Sequence, residues 1–345
     1  MGLNIREIVS RKELNISELK GKVVCVDAFN VLYQFLSTIR QADGTPLQDE
    51  KGKVTSHLSG IFYRNISLLS EGVKLVYVFD GEPPKLKEKI HKLRGELRSI
   101  AREKYETAFK DEDLEDMKKY SSQLIRLEDK MIEESKELLL AMGICVVQAP
   151  GEGESEAAYL SKKKGIYGVV SQDYDSLVFG APVLIRNLTV SRKKKTYSGY
   201  IEVKPEKIVL EELLKELEIN LDQLICLAIL VGTDYNPKGI PRIGQKRALQ
   251  IVREFKTPRK IFESVNEKID ELSFEDKFDW EVLFSLFRAP KTKDFEIVFP
   301  KIDFGKIREI LVKRHQFSEE RINNQIEKLT GLKRFKNQKN LGNWI

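Results

Sequence analysis

Cysteine, histidine and tryptophan are all scarce in this chain, and no apolar run is long enough to cross a bilayer. The three cysteines, Cys25, Cys145 and Cys226, lie in separate apolar stretches without zinc-type or disulfide spacing. They read as small core residues. The three histidines, His57, His91 and His315, are scattered, which counts against a His-based zinc site and leaves little room for a His-centred triad. The longest apolar run, 224–231, is far short of the ~20 residues a membrane helix needs. No basic n-region followed by an apolar h-region opens the chain, so it is expected in the cytoplasm and not secreted. For an enzyme so poor in imidazole and thiol, oxygen-bound metal is the chemistry left.

Charge, by contrast, is plentiful. Charged residues make up 32% and hydrophobic residues 41% of 345. That balance excludes a disordered chain and permits a substantial core. The net charge of +6 is modest, so any polyanion must be bound where basic residues cluster.

Seven carboxylates stand at or near the ends of apolar, strand-like runs: Asp27 in VVCVDAFN, Asp80 in LVYVFDG, Glu152 and Glu154 in APGEGES, Asp173 and Asp175 in VVSQDYDSL, and Asp234 in ILVGTDYN. Open α/β folds build their sites at the carboxyl edge of a parallel sheet. Anions crowded there repel, and hard divalent cations with oxygen ligands relieve the repulsion. The plainer reading of each acid alone is a turn residue or helix N-cap, with Asp27 and Asp80 as caps and Asp234 holding a turn. The doublets resist it: in extended chain, Glu152 and Glu154, like Asp173 and Asp175, point to one side.

Short Val- and Ile-rich runs at 22–27, 74–79, 144–148, 168–172 and 183–186 alternate with helical patterns at 30–41, 55–70, 132–142, 154–164 and 206–217. The alternation predicts an α/β fold with a mostly parallel central sheet flanked by helices. Residues 2–10 read as a short helix packed nearby. A polar insert from about 83 to 130 exceeds any ordinary crossover. Its segment 85–104 holds eight Lys or Arg against three Glu, while Leu86, Ile90, Leu93 and Leu97 recur at helical spacing. The following stretch, 105–119, is acidic. A solvated amphipathic helix is the bland alternative to a clamp on a polyanion.

After Asp234, the segment from Gly239 through Arg242 and Gly244 to Lys246 and Arg247 reads as a tight turn between two helices (about 222–255). Such a turn offers backbone N–H groups and positive charge to phosphate; a plain packing hairpin is the alternative. Residues 192–195 read as a basic, solvent-facing loop. The last residues, 331–345, carry four basic and no acidic side chains without helical periodicity, and read as a flexible tail. The body, 1–330, reads as a single domain.

The stretches VDAFNVLYQFL, TSHLSGIFYR, YVFDGEPPKLK, APGEGESEAAYL, SQDYDSLVFG, VGTDYNPKGIPRIGQKRA and QFSEERI closely resemble the structure-specific flap endonuclease family, in order and over nearly the whole chain. The resemblance implies a parallel sheet with a helical arch, and hydrolysis of 5′ flaps from branched DNA in replication (Okazaki fragment maturation) and repair, with 5′–3′ exonuclease activity. It implies two Mg2+ ions, for which Mn2+ substitutes. Asp27, Asp80, Glu152 and Glu154 would surround one ion, and Asp173, Asp175 and Asp234 the other. Lys87 and Arg94 match the basic pair at the arch base that acts on the scissile phosphate, and Tyr33 matches an aromatic that stacks on a nucleotide. Residues 232–248 match a helix–two-turn–helix element that grips duplex DNA and holds a monovalent cation such as K+. Gln338, Leu341, Trp344 and Ile345 resemble the box that binds a sliding clamp of the proliferating cell nuclear antigen type, although Trp344–Ile345 stands where paired aromatics are usual. The absence of a long basic tail, with abundant Lys, Glu and Ile, points to an archaeal protein. A nucleoid-associated monomer is the expectation for a member of such a family. The rival readings are a related 5′ exonuclease or bubble-cutting repair nuclease, an RNA-cutting nuclease of related fold, and a non-catalytic clamp-bound scaffold at DNA junctions.

Overall fold

The computed structural model describes residues 3–41, 43–82, 88–110, 113–124, 126–190, 193–196, 199–273 and 276–329. Its strands are β1 (Lys12–Glu13), β2 (Val23–Asp27), β3 (Lys74–Phe79), β4 (Cys145–Gln148), β5 (Ile166–Val170), β6 (Val183–Arg186), β7 (Lys193–Thr196), β8 (Gly199–Glu202) and β9 (Glu206–Val209). The main sheet has the order β1-β9-β6-β5-β2-β3-β4. Neighbours from β6 through β4 are parallel, whereas β9 runs antiparallel to β6, and β1 to β9. The parallel strands β2 to β6 are largely apolar runs because both faces of the sheet are covered there.

The pleat sends alternate residues into two cores. Cys25, Val76, Val78, Cys145, Val147, Val169 and Leu184 pack on one face, against helices that include Gly153–Ser161 and Leu221–Val231. Val24, Val26, Leu75, Tyr77, Phe79, Val170 and Ile185 pack on the other, against helices that include Ala28–Thr38, Ser56–Ser70 and Asp129–Ala141. The cysteines are buried and unbridged, and burial raises the Cys25 and Cys226 thiols to about 12. They are core residues, as their spacing suggests.

Chain order makes the site. From β2 the chain moves outward to β3 and then β4, and returns to β5 and β6 on the other side of β2. The reversal leaves a crevice outside the carboxyl ends of β2 and β5, the position where open α/β sheets take ligands. Between β3 and β4, the helices Glu88–Lys110 and Leu114–Gln123 occupy the polar insert. Arg40 ties the second of these to the body: its Nη1 donates to Ser121 Oγ (2.9 Å) and to Gly44 O (2.6 Å).

Three expectations change. Residues 206–209 form the antiparallel strand β9, and the helix starts only at Leu210. The open edge of β6 competes for this backbone, and ladder pairing there wins over helical periodicity. Residues 3–10 form no helix; they hold only a turn, closed by Ile8 N–H to Ile5 O (3.1 Å). Lys193–Lys195 belong to the hairpin β7–β8, not to a loop. Among the described residues, no helix is long and apolar enough to cross a membrane.

Candidate active site

Asp27 ends β2 and caps the helix that follows: its Oδ1 accepts the Asn30 N–H at 3.1 Å. The cap reading and the site reading are both satisfied here. Asn30 then spans the crevice. Its Nδ2 donates to Asp173 Oδ2 (2.8 Å) and its Oδ1 accepts the Gln172 N–H (3.0 Å), fastening the loop after β5 to the helix after β2.

Asp80 follows β3, and its Oδ1 accepts the Gly153 N–H at 2.6 Å. Gly153 is required by proximity: a Cβ there would stand 2.8 Å from Asp80 Oδ1 and 3.0 Å from Val78 O. Glu152 precedes and Glu154 belongs to the first turn of the helix Gly153–Ser161; Asp175 opens the short helix Asp175–Val178. The doublets are therefore not extended chain. They stand at helix N-termini, where the peptide dipoles favour anions. Asp234 follows the helix Leu221–Val231 and not a strand.

These residues converge. Glu152, Glu154, Asp175 and Asp234 line one cleft with Phe179, Tyr235 and Phe287. Glu154 Oε1 accepts the Ser176 N–H (2.9 Å), and Asp175 Oδ1 accepts the Leu3 N–H (3.2 Å). Burial, then the charges of Asp175, Asp27, Asp173 and Glu152, push the Glu154 carboxyl well above its usual range. Burial and neighbouring Asp234 likewise raise Asp173. Asp27 and Asp175 are each only 7% exposed.

Such a set fits hard divalent cations and no softer metal, since every donor is a carboxylate oxygen. A cation would offset the repulsion that adds to burial in raising Glu154. Among the described residues, no group of three or more acidic, His or Cys side chains is close enough to hold an ion by itself. Any cation bound here would therefore draw part of its shell from water or substrate oxygen.

Sequence reasoning missed Asn30, Gly153 and Tyr235. Tyr235 donates its hydroxyl to Glu152 Oε2, and burial together with Glu152 holds the phenol above its ordinary range, so it stays a donor. Only adjacency to Asp234 hinted at it.

Tyr33 lies one turn beyond Asn30 on the helix Ala28–Thr38 and is 41% exposed. Arg94 falls in the helix Glu88–Lys110; Lys87 lies outside the described residues. The expected hairpin is present as Leu221–Val231 and Gln245–Phe255. Its turn is locked by Asn236, whose Nδ2 donates to Ile229 O (2.7 Å) and whose Oδ1 accepts the Thr233 N–H (3.1 Å). Gly239 is a packing residue, with a positive φ of 57° and a Cβ position that overlaps the Val231 carbonyl. Its N–H is given to Asn236 O at 2.8 Å, so that amide is not offered to a ligand. Arg242, Gly244, Lys246 and Arg247 are exposed. Gln338, Leu341, Trp344 and Ile345 lie outside the described residues.

The chain is similar to known proteins in sequence and fold. Residues 3–101 match the XPG N-terminal domain and 143–234 the XPG I-region. Flap endonuclease 1 of Pyrococcus furiosus is 47% identical, over 100% of this chain and 99% of its own length. The structure of flap endonuclease-1 from Methanococcus jannaschii superposes with a TM-score of 0.74 at 39% identity, covering 96% of this chain and 98% of that one. The catalytic core of Rad2 in complex with DNA substrate shares the fold at 22% identity, with a TM-score of 0.69 over 95% of this chain and 100% of that one. With its carboxylates gathered at the switch point of such a sheet, the chain belongs to the flap endonuclease family.

Proposed function

We propose that this protein hydrolyses phosphodiester bonds at single-strand/duplex junctions of branched DNA, removing 5′ flaps in Okazaki fragment maturation and repair, with 5′–3′ exonuclease activity. The observation that carries the reading is the convergence of carboxylates from the ends of β2, β3, β4 and β5 on one crevice, where burial and then the neighbouring charges push Glu154 well above its usual range. A non-catalytic scaffold would gain nothing from anions set against DNA phosphate.

Asp27, Asp80, Glu152 and Glu154 would hold one Mg2+, and Asp173, Asp175 and Asp234 a second, with Mn2+ as a substitute. Bound there, such cations supply Lewis-acid stabilisation of the phosphate and a water made acidic enough to attack at neutral pH. The chain's own residues do the rest. Lys87 and Arg94 at the arch base offset charge on the scissile phosphate, and Tyr33 stacks on a nucleotide beside it. Arg242, Lys246, Arg247 and the exposed Gly244 backbone grip the duplex through its phosphates, with a K+ ion at the hairpin, so shape is read instead of sequence. Gln338, Leu341, Trp344 and Ile345 dock on a sliding clamp from a tail at 331–345, while 1–330 act as one nuclease domain, a monomer of the archaeal nucleoid.

Wild type and Asp175→Ala incubated with flap, nicked, bubble and RNA substrates, with Mg2+ and then with chelator, test the proposal. The expected result is junction cleavage of flap DNA by the wild type, lost with chelator or in the variant while DNA binding survives. Chelator-resistant cleavage overturns the metal assignment. DNA binding without any cleavage by the wild type favours the scaffold.

A further inference from the structure

Tyr235 joins two parts of the molecule that the sequence keeps apart. It follows Asp234 on the turn after the helix Leu221–Val231, and its hydroxyl reaches Glu152 at the N-terminus of the helix Gly153–Ser161. The turn that carries it is stiff. Tyr235 N–H donates to Thr233 Oγ1 (3.1 Å), Thr233 Oγ1 donates to Asn236 Oδ1 (2.7 Å), and Asn236 is anchored to Ile229 O. The ring is stiff as well. It meets Phe287 edge-on, centroids 5.6 Å apart at 82°, and Phe287 rests on Phe179 at 5.0 Å.

A carboxylate beside several others drifts toward solvent unless something fixes it. A neutral hydroxyl takes one lone pair and leaves the remaining acceptor capacity for a cation. Tyrosine suits this task, since its aromatic body packs in the apolar wall of the cleft while its tip stays polar. Glu152 also precedes Gly153, whose N–H holds Asp80, so Tyr235 braces two candidate metal-binding acids through one contact.

We propose that Tyr235 is a positioning residue for the metal-binding carboxylates: it fixes Glu152, and through the Glu152–Gly153 backbone Asp80, relative to Asp234 and the duplex-gripping hairpin. The inference rests on the metal-dependent reading of the site. Groups that orient metal ligands typically alter metal affinity by about 10- to 100-fold when removed.

Calorimetric titration of Mn2+ into the full chain, without DNA, reads this apart from turnover. Tyr235→Phe keeps the ring and removes only the hydroxyl. It should melt within about 2 °C of wild type, since its packing is intact, and bind Mn2+ about tenfold more weakly. In a Glu152→Gln background, Tyr235→Phe should produce little additional weakening, because the contact it serves is already altered. A Tyr235→Phe isotherm within twofold of wild type, or the same tenfold loss in the Glu152→Gln background, overturns the inference. A wild-type chain that binds no Mn2+ instead overturns the metal reading on which it rests.

Discussion

Replacing Gly153 by Ala should injure catalysis without injuring the fold. The added Cβ would stand 2.8 Å from Asp80 Oδ1, where ordinary contact begins near 3.4 Å. Asp80 must then retreat by roughly 0.6 Å, stretching the 2.6 Å bond it accepts from the Gly153 N–H. A misplacement of about 1 Å costs on the order of 100-fold in rate, so ~15-fold is expected here. Stability should change little: Ala is favoured over Gly in a helix by about 1 kcal/mol, and the strain of the insertion opposes that gain. Single-turnover cleavage of flap DNA at saturating Mg2+, beside thermal melting, measures both. Gly151→Ala is the control, because its Cβ would meet nothing nearer than Lys291 O at 3.4 Å. A wild-type rate in Gly153→Ala, or a loss equalled by Gly151→Ala, refutes the idea that close backbone approach holds Asp80.

Further expectations concern the charge cluster, the insert, the buried histidine and the tail. Asp175→Asn removes a charge pressing on Glu154, so Glu154 should titrate closer to an ordinary carboxylate and cleavage should fall by at least about 100-fold; carboxyl NMR and turnover report both. Lys87→Ala and Arg94→Ala should slow the chemical step with little change in DNA affinity, and a loss confined to affinity would assign them to steering. His57 is fully buried, and burial, reinforced by His315, lowers it to about 3. A depressed histidine adds stability above its unfolded pKa and loses it as pH falls toward the folded value. Between pH 7 and 5 the loss is about 2 kcal/mol, and a His57→Met variant should lose correspondingly less in urea melts at the two pH values. Deleting 337–345 should spare cleavage of free flap DNA and abolish stimulation by a sliding clamp; persistent stimulation would place the docking segment elsewhere.

The strands were legible because a parallel sheet covered on both faces leaves almost no polar positions in its runs. VVCVD and KLVYVF could hardly be anything else. The acids were legible because each follows an apolar run. What sequence could not reveal was how they are held. Glu152, Glu154, Asp173 and Asp175 read as extended doublets, yet the backbone turns into helices there, and a period of two over three residues cannot be told from a helix start. Residues 206–209 carry a helical pattern that the unpaired edge of β6 overrides. Asn30 and Tyr235 act through partners distant in the chain, Asp173 and Glu152, so no local spacing points to them. Gly153 looks like any helix-start glycine until the Asp80 side chain is placed beside it.

Crystals soaked in Mn2+ and measured at its absorption edge test the central claim most directly. Two anomalous peaks are expected in the crevice outside β2 and β5, one among Asp27, Asp80, Glu152 and Glu154, the other among Asp173, Asp175 and Asp234. Saturating Mn2+ with no peak in that crevice, or peaks only at surface acids elsewhere, would contradict it.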